Sequence, residues 1–187
     1  MKFKINYLLI SKKILLYKTC KLFLLYSVLL IAPVSYGQFS TVFSENFEGC
    51  VQATLPITCG IQPWSVTGTG SRWTTTSNLC VVTGSFSLAV GSDATFCEYN
   101  RDFGTSDRIA YTQFSTAGFQ KLDISFDWRC MGEAGVDYGK VVYSNDGVTW
   151  NDVSLTQYQG LLATQSDTNR PIPGALNDDP TAFIGFR

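Results

Sequence analysis

From Leu122 to Cys130 apolar and polar side chains alternate at every step. Leu122, Ile124, Phe126 and Trp128 fall on one side, Asp123, Ser125, Asp127 and Arg129 on the other, and Cys130 continues the apolar phase. A period of two is the geometry of a β-strand, whose successive side chains point to opposite faces; at 3.6 residues per turn the same residues would be smeared around a helix. Such a strand has one buried face and one wet face, and it needs neighbours. The chain supplies them in short apolar or alternating stretches at 40–47, 71–76, 85–90, 108–114, 140–144, 150–155 and 181–187. Turn signals lie between them: Gly68-Thr69-Gly70, Gly91-Ser92-Asp93, the glycines at 132 and 135, and Asn145-Asp146-Gly147. Asp146-Gly147 between apolar stretches at 141–144 and 148–150 predicts a hairpin, because glycine accepts the positive φ that tight hairpin turns require. The polar stretch 157–180, with Pro171, Pro173 and Pro180, reads as a long connection. No dozen-residue window after residue 37 carries a helical period. The expected fold is all-β, a two-sheet antiparallel jelly-roll sandwich over residues 38–187. Because Phe183-Ile184-Gly185-Phe186 starts a strand at the very end of the sequence, the sandwich is expected to be cut short before its last strand.

The first 37 residues have a different composition. They hold six lysines and no acid, followed by an apolar run at 22–34 and by Ser35-Tyr36-Gly37 ahead of Gln38. A basic start, a short apolar stretch and a small-x-small boundary are the pattern of a secretory signal peptide. The run is shorter than the ~20 residues that span a bilayer, so no membrane span is expected after cleavage. Removing residues 1–37 turns a whole-chain charge of −1 into −7, since eight basic residues then face all fifteen acids. An acidic, exported β-domain is a poor match for nucleic acid, which is held by basic patches.

The chain contains no histidine. A Ser-His-Asp triad, a Cys-His pair, a histidine-ligated metal and a histidine general base are therefore excluded. Five cysteines follow residue 37, and an odd number cannot all pair. Closeness in sequence favours Cys50 with Cys59 and Cys80 with Cys97, other pairings staying open, and each loop would stabilise by about 3 kcal/mol. Cys130 would be left as a buried, inert thiol on the apolar face of its strand. Asp123 and Asp127 share a strand face at about 13 Å, too far apart for the two carboxylates of a glycosidase. Ser144 to Trp150 resembles a shortened Asp-box turn of sialidase-like propellers, but occurs once and reads as a hairpin with Trp150 packed behind it. Trp64, Trp73, Trp150, Tyr99 and Tyr138 could stack on sugar rings, although packing is the commoner use of such side chains.

Phe43-Ser44-Glu45-Asn46-Phe47-Glu48-Gly49, then Pro63-Trp64, Trp73, Asp107-Arg108-Ile109, the stretch from Leu122 to Cys130 and the stretch from Asp137 to Trp150, resemble in order the choice-of-anchor J, or cleaved-adhesin, domain family. That family is similar to the MAM domain and has a jelly-roll fold. The resemblance covers about residues 40–187. It implies a secreted or cell-surface module, often exported by the type IX pathway, that serves adhesion or binding to an extracellular glycan or surface protein. It also implies structural calcium, with Glu45 as a ligand and Asp137 as a second one. Two departures bear on that metal: residues 65–71 lack the acids of the family's calcium loop, and the family's closing strand, with its acidic ligand, falls beyond Arg187. The alternative expectation is an accessory domain at the front of a larger exported peptidase or glycoside hydrolase.

Overall fold

In the computed structural model, residues 3–8, 39–58, 60–77, 81–91, 106–130, 133 and 135–187 are described. Twelve strands are present among them: β1 (Phe3–Leu8), β2 (Phe39–Glu45), β3 (Ala53–Thr54), β4 (Trp64–Thr69), β5 (Arg72–Thr76), β6 (Ser87–Gly91), β7 (Asp107–Phe114), β8 (Leu122–Cys130), β9 (Val141–Ser144), β10 (Asn151–Asp152), β11 (Leu161–Ile172) and β12 (Ala182–Phe186). A single 3₁₀ turn, Gly174–Leu176, is the sole helical piece among the described residues. The strands form three sheets in the orders β11-β8-β1-β2, β10-β9-β12-β7-β4 and β3-β5-β6, and every pairing is antiparallel. The all-β antiparallel expectation holds.

The four- and five-stranded sheets meet through aromatic side chains. Phe126 of β8 meets Phe186 of β12 edge-on at 5.4 Å, and Phe43 of β2 meets Phe114 of β7 at 5.3 Å. Trp64 of β4, completely buried, lies between Phe47 at 5.5 Å and Phe186 at 6.3 Å. Leu122, Ile124 and Ile184 fill the space around these rings with no exposed surface. Each such side chain contributes about 1.5–3 kcal/mol by leaving water, so this layer dominates the stability of the domain. The alternation of β8 is realised with Leu122, Ile124 and Phe126 buried, while Trp128, Arg129 and Cys130 are only half-buried where the strand runs past the core.

Three readings change. The stretch 157–180 is not a connection throughout, since β11 occupies twelve of its residues and pairs with β8. It is an edge strand with two register shifts, and an edge tolerates Pro171 and a polar sequence that a central strand would not. Side chains anchor it: Ser166 donates to Asp127 at 2.6 Å, and the Asn169 amide donates to the Ser125 hydroxyl at 2.9 Å. Tyr158 and Arg170 both donate to Asp167. Burial first, and then the Asp167 carboxylate it faces, push the Tyr158 phenol above its ordinary pKa, so it remains a donor at every physiological pH.

Second, Gly68 is not a turn residue but lies inside β4, opposite Arg108, at φ +88°. A Cβ there would stand 2.2 Å from the Asp107 carbonyl oxygen, so glycine permits the close approach of β4 to β7. Gly68→Ala is expected to cost about 1–3 kcal/mol; a chemical-denaturation midpoint equal to that of the parent would refute the strain. Third, the hairpin after β9 closes on β10, so its loop spans Asn145 to Trp150 rather than two residues. Phe3–Leu8, inside the segment read as an export signal, forms β1 between β2 and β8; the rest of that segment lies outside the described residues. No helix among the described residues is long and apolar enough to cross a membrane.

Candidate functional site

The outer face of the five-stranded sheet carries an aromatic cluster. Strand alternation turns Ala110, Thr112 and Phe114 of β7 inward, which leaves Tyr111 and Gln113 on the outside. β12 lies beside β7 and places Phe183 opposite Gln113; β4, on the other side, places Ser65 opposite Tyr111. The loop after β9 then brings in Trp150, whose ring lies 5.0 Å from Tyr111 and 6.4 Å from Phe183, with Tyr111 and Phe183 6.1 Å apart. The Trp150 indole N–H is buried and has no hydrogen-bond partner among the described residues.

Next to this cluster is an open cleft of about 490 Å³, lined by Gln62, Pro63, Ser65, Tyr111, Gln113, Ser115, Pro180 and Phe183 among others. The volume is in the range of small-molecule sites. Its lining combines ring faces with amide and hydroxyl side chains and holds no charged one. Such a surface can stack on an apolar face and hydrogen-bond hydroxyls.

Asp146 fixes the loop that carries Trp150. Its Oδ1 accepts the amides of Val148 and Thr149 at 2.8 and 2.7 Å, and the Ser144 hydroxyl donates to the same oxygen at 2.8 Å. Gly147, at φ +71°, lies against the Phe183 ring. Asn145 ties the loop sideways by donating to the Ala175 carbonyl and to Asp179, both at 2.7 Å. The Thr149 and Val148 amides, followed by the Ser144 hydroxyl, hold the Asp146 carboxyl far below the ordinary carboxylate range. A depressed pKa stabilises the fold above the unfolded-state value near 4 and loses that contribution as pH falls through the lower folded value. Asp146→Ala is therefore expected to melt below the parent at neutral pH, with the gap shrinking once the solution is acidified below about pH 3. A gap that is independent of pH would disprove the charge-assisted turn.

Glu45, at the end of β2, is 1% exposed. Its Oε1 accepts the amides of Asn46 and Phe47 at 2.9 and 2.8 Å, and its Oε2 accepts the amide of Ile61 at 2.8 Å. Asp137 lies elsewhere, in the turn after β8, where its Oδ2 accepts the Glu133 amide at 2.9 Å. Three N–H donors complement a bare carboxylate, whereas calcium demands a shell of oxygens. The described residues hold no cluster of three or more His, Cys, Asp or Glu side chains, and the contacts named above for the Glu45 carboxylate are N–H donors. Adding a chelator is expected to leave the melting temperature unchanged; a fall of several degrees would show a bound cation.

Of the other residues singled out, Trp64 and Trp73 are core, with the Trp73 indole donating to the Arg108 carbonyl at 2.9 Å. Tyr138 is exposed, with the Lys140 ammonium 5.8 Å from its ring centre, and Tyr99 lies outside the described residues. Cys50 is buried and disulfide-bonded; Cys59, Cys80 and Cys97 lie outside the described residues. Cys130 is a free thiol, half-buried rather than buried. Sequence reasoning missed the cleft. Tyr111 and Phe183 are far apart in the chain, and only the placement of β12 beside β7 joins them.

Neither a family model, nor a curated protein, nor a solved structure matches this chain.

Proposed function

We propose that this chain is a secreted or cell-surface, non-catalytic binding and adhesion module. In this reading residues 1–37 are a cleaved export signal and the rest is a jelly-roll domain of the choice-of-anchor J kind. Its ligand is an extracellular carbohydrate, presented free or on a surface protein. The observation that carries the reading is the cleft beside Tyr111, Trp150 and Phe183, where aromatic faces meet the amides of Gln62 and Gln113 without any charged side chain. Sugars present that same pair of surfaces, an apolar C–H face and a rim of hydroxyls. The missing histidine and the uncharged lining favour retention of a ligand over its chemical conversion.

A panel of neutral and acidic oligosaccharides, offered to the purified exported protein, tests the reading. Neutral glycans should bind, and Gln113→Ala should weaken them about tenfold or more while leaving the melting temperature intact, because Gln113 is exposed. Binding that ignores Gln113, or no glycan binding by the folded protein, would overturn it.

A further inference from the structure

β1 is the one strand that links β2 to the rest of its sheet. Each of its residues pairs with β2, from Phe3 opposite Glu45 to Leu8 opposite Phe39, and five of them also pair with β8, from Phe3 opposite Phe126 to Tyr7 opposite Leu122. β2 has no other strand neighbour in its sheet, whereas β8 keeps β11 on its far side. Positions 3, 5 and 7 of β1 therefore stand in register with Phe126, Ile124 and Leu122, three buried core side chains.

Yet Phe3–Leu8 belongs to the segment that an export signal would remove. We propose that cleavage before Gln38 opens a slot one strand wide between β2 and β8, and that an extended tail of a surface partner protein fills it in trans. The proposal rests on the reading above that the leader is removed. Two strands that flank a missing third are about 9.5 Å apart, and each presents unpaired N–H and C=O groups. Unmade backbone hydrogen bonds over a buried surface are expensive, and an added strand satisfies both edges at once.

The slot also defines its occupant. It takes an extended segment, antiparallel to β8, with apolar residues at alternate positions opposite Phe126, Ile124 and Leu122; the sequence Phe3-Lys4-Ile5-Asn6-Tyr7 has that pattern. An edge strand of a second copy already has a neighbour on one side and cannot enter a slot that needs both edges free. A free tail of another protein can.

The test compares the exported chain, starting at Gln38, with the full chain. The probe is a labelled synthetic peptide of the sequence of residues 3–8. The exported chain should bind one peptide and melt at a higher temperature with it, while the full chain, whose slot is filled, should not bind. A scrambled peptide, and a peptide with Asp in place of the isoleucine, should bind at least about tenfold more weakly. If the exported chain is unfolded alone, the peptide should restore its β-sheet circular dichroism. Absence of both binding and refolding overturns the proposal, as does equal binding of the scrambled peptide. Self-association of the exported chain that the peptide does not compete away also overturns it, in favour of a second copy. The mass of the exported chain reports on the leader separately: retention of Phe3 sinks the leader reading and the slot with it, whereas a chain that starts at Gln38 and ignores the peptide sinks the slot alone.

Discussion

Glu45→Ala is expected to lower the folding free energy by about 3–5 kcal/mol, because it strips the acceptor from three backbone amides at once. The carboxylate ends β2 and reaches both into its own following turn, at Asn46 and Phe47, and across to Ile61, sixteen residues on. The Phe47 amide is buried and those of Asn46 and Ile61 partly buried; an amide left unsatisfied away from water costs about 1–3 kcal/mol, part of which local relaxation and solvent recover. Gly60 shows how closely the backbone wraps this group, since a Cβ on it would stand 2.2 Å from Oε2. Glu45→Gln separates charge from shape. One oxygen of the amide still serves Asn46 and Phe47, but its NH₂ then faces the Ile61 amide, donor against donor, for an expected loss of about 1–3 kcal/mol. Urea titrations of the three proteins measure the ordering Ala worse than Gln worse than parent. A loss below about 1 kcal/mol for the alanine variant would show that water replaces the carboxylate and that Glu45 does not hold the loop.

Why some of this was legible in the chain and some was not follows from how each element earns its place. β8 could be read because its two faces live in different media, so the alternation of Leu122, Ile124 and Phe126 with polar partners is forced by burial. β11 could not, because an edge strand with most of its side chains in water has no such constraint; it is held by Ser166, Asn169 and Asp167, partners that no local pattern marks. β4 was hidden by its own glycine, which reads as a turn in the sequence and serves as close strand contact in the fold. Asp146-Gly147 announced a turn, but not that the Asp146 carboxylate collects the amides of Val148 and Thr149 and so aims Trp150 at Tyr111. The cleft is the least legible feature, because it exists only where β12 lies between β7 and β9. Glu45 stood out through a family resemblance that implied a metal ligand; around it the structure places N–H donors, which a motif of residue types does not reveal.

The tryptophans divide the molecule into a part that holds it together and a part free to bind, and the division can be measured. Trp64 has no exposed surface and packs within the core, tilted against Phe47 in the turn after β2 and stacked on Phe186 of its own sheet. Phe186, on which it stacks, also meets Phe126 from the opposite sheet, so a void at Trp64 would loosen a ring that joins both layers. Trp64→Ala is expected to cost about 3–5 kcal/mol, the range for removing a large aromatic side chain from a core that only partly collapses. Trp64→Phe keeps a ring in place and should cost about 1–2 kcal/mol. Trp150, half-buried between Tyr111 and Phe183 on the outer face, should cost less than about 1.5 kcal/mol on truncation to alanine while weakening any glycan bound at the cleft. Denaturation midpoints of the three variants decide the matter. Equal losses at Trp64 and Trp150 would mean that the outer cluster is a second core rather than a binding surface, and the cleft would lose its claim to a ligand.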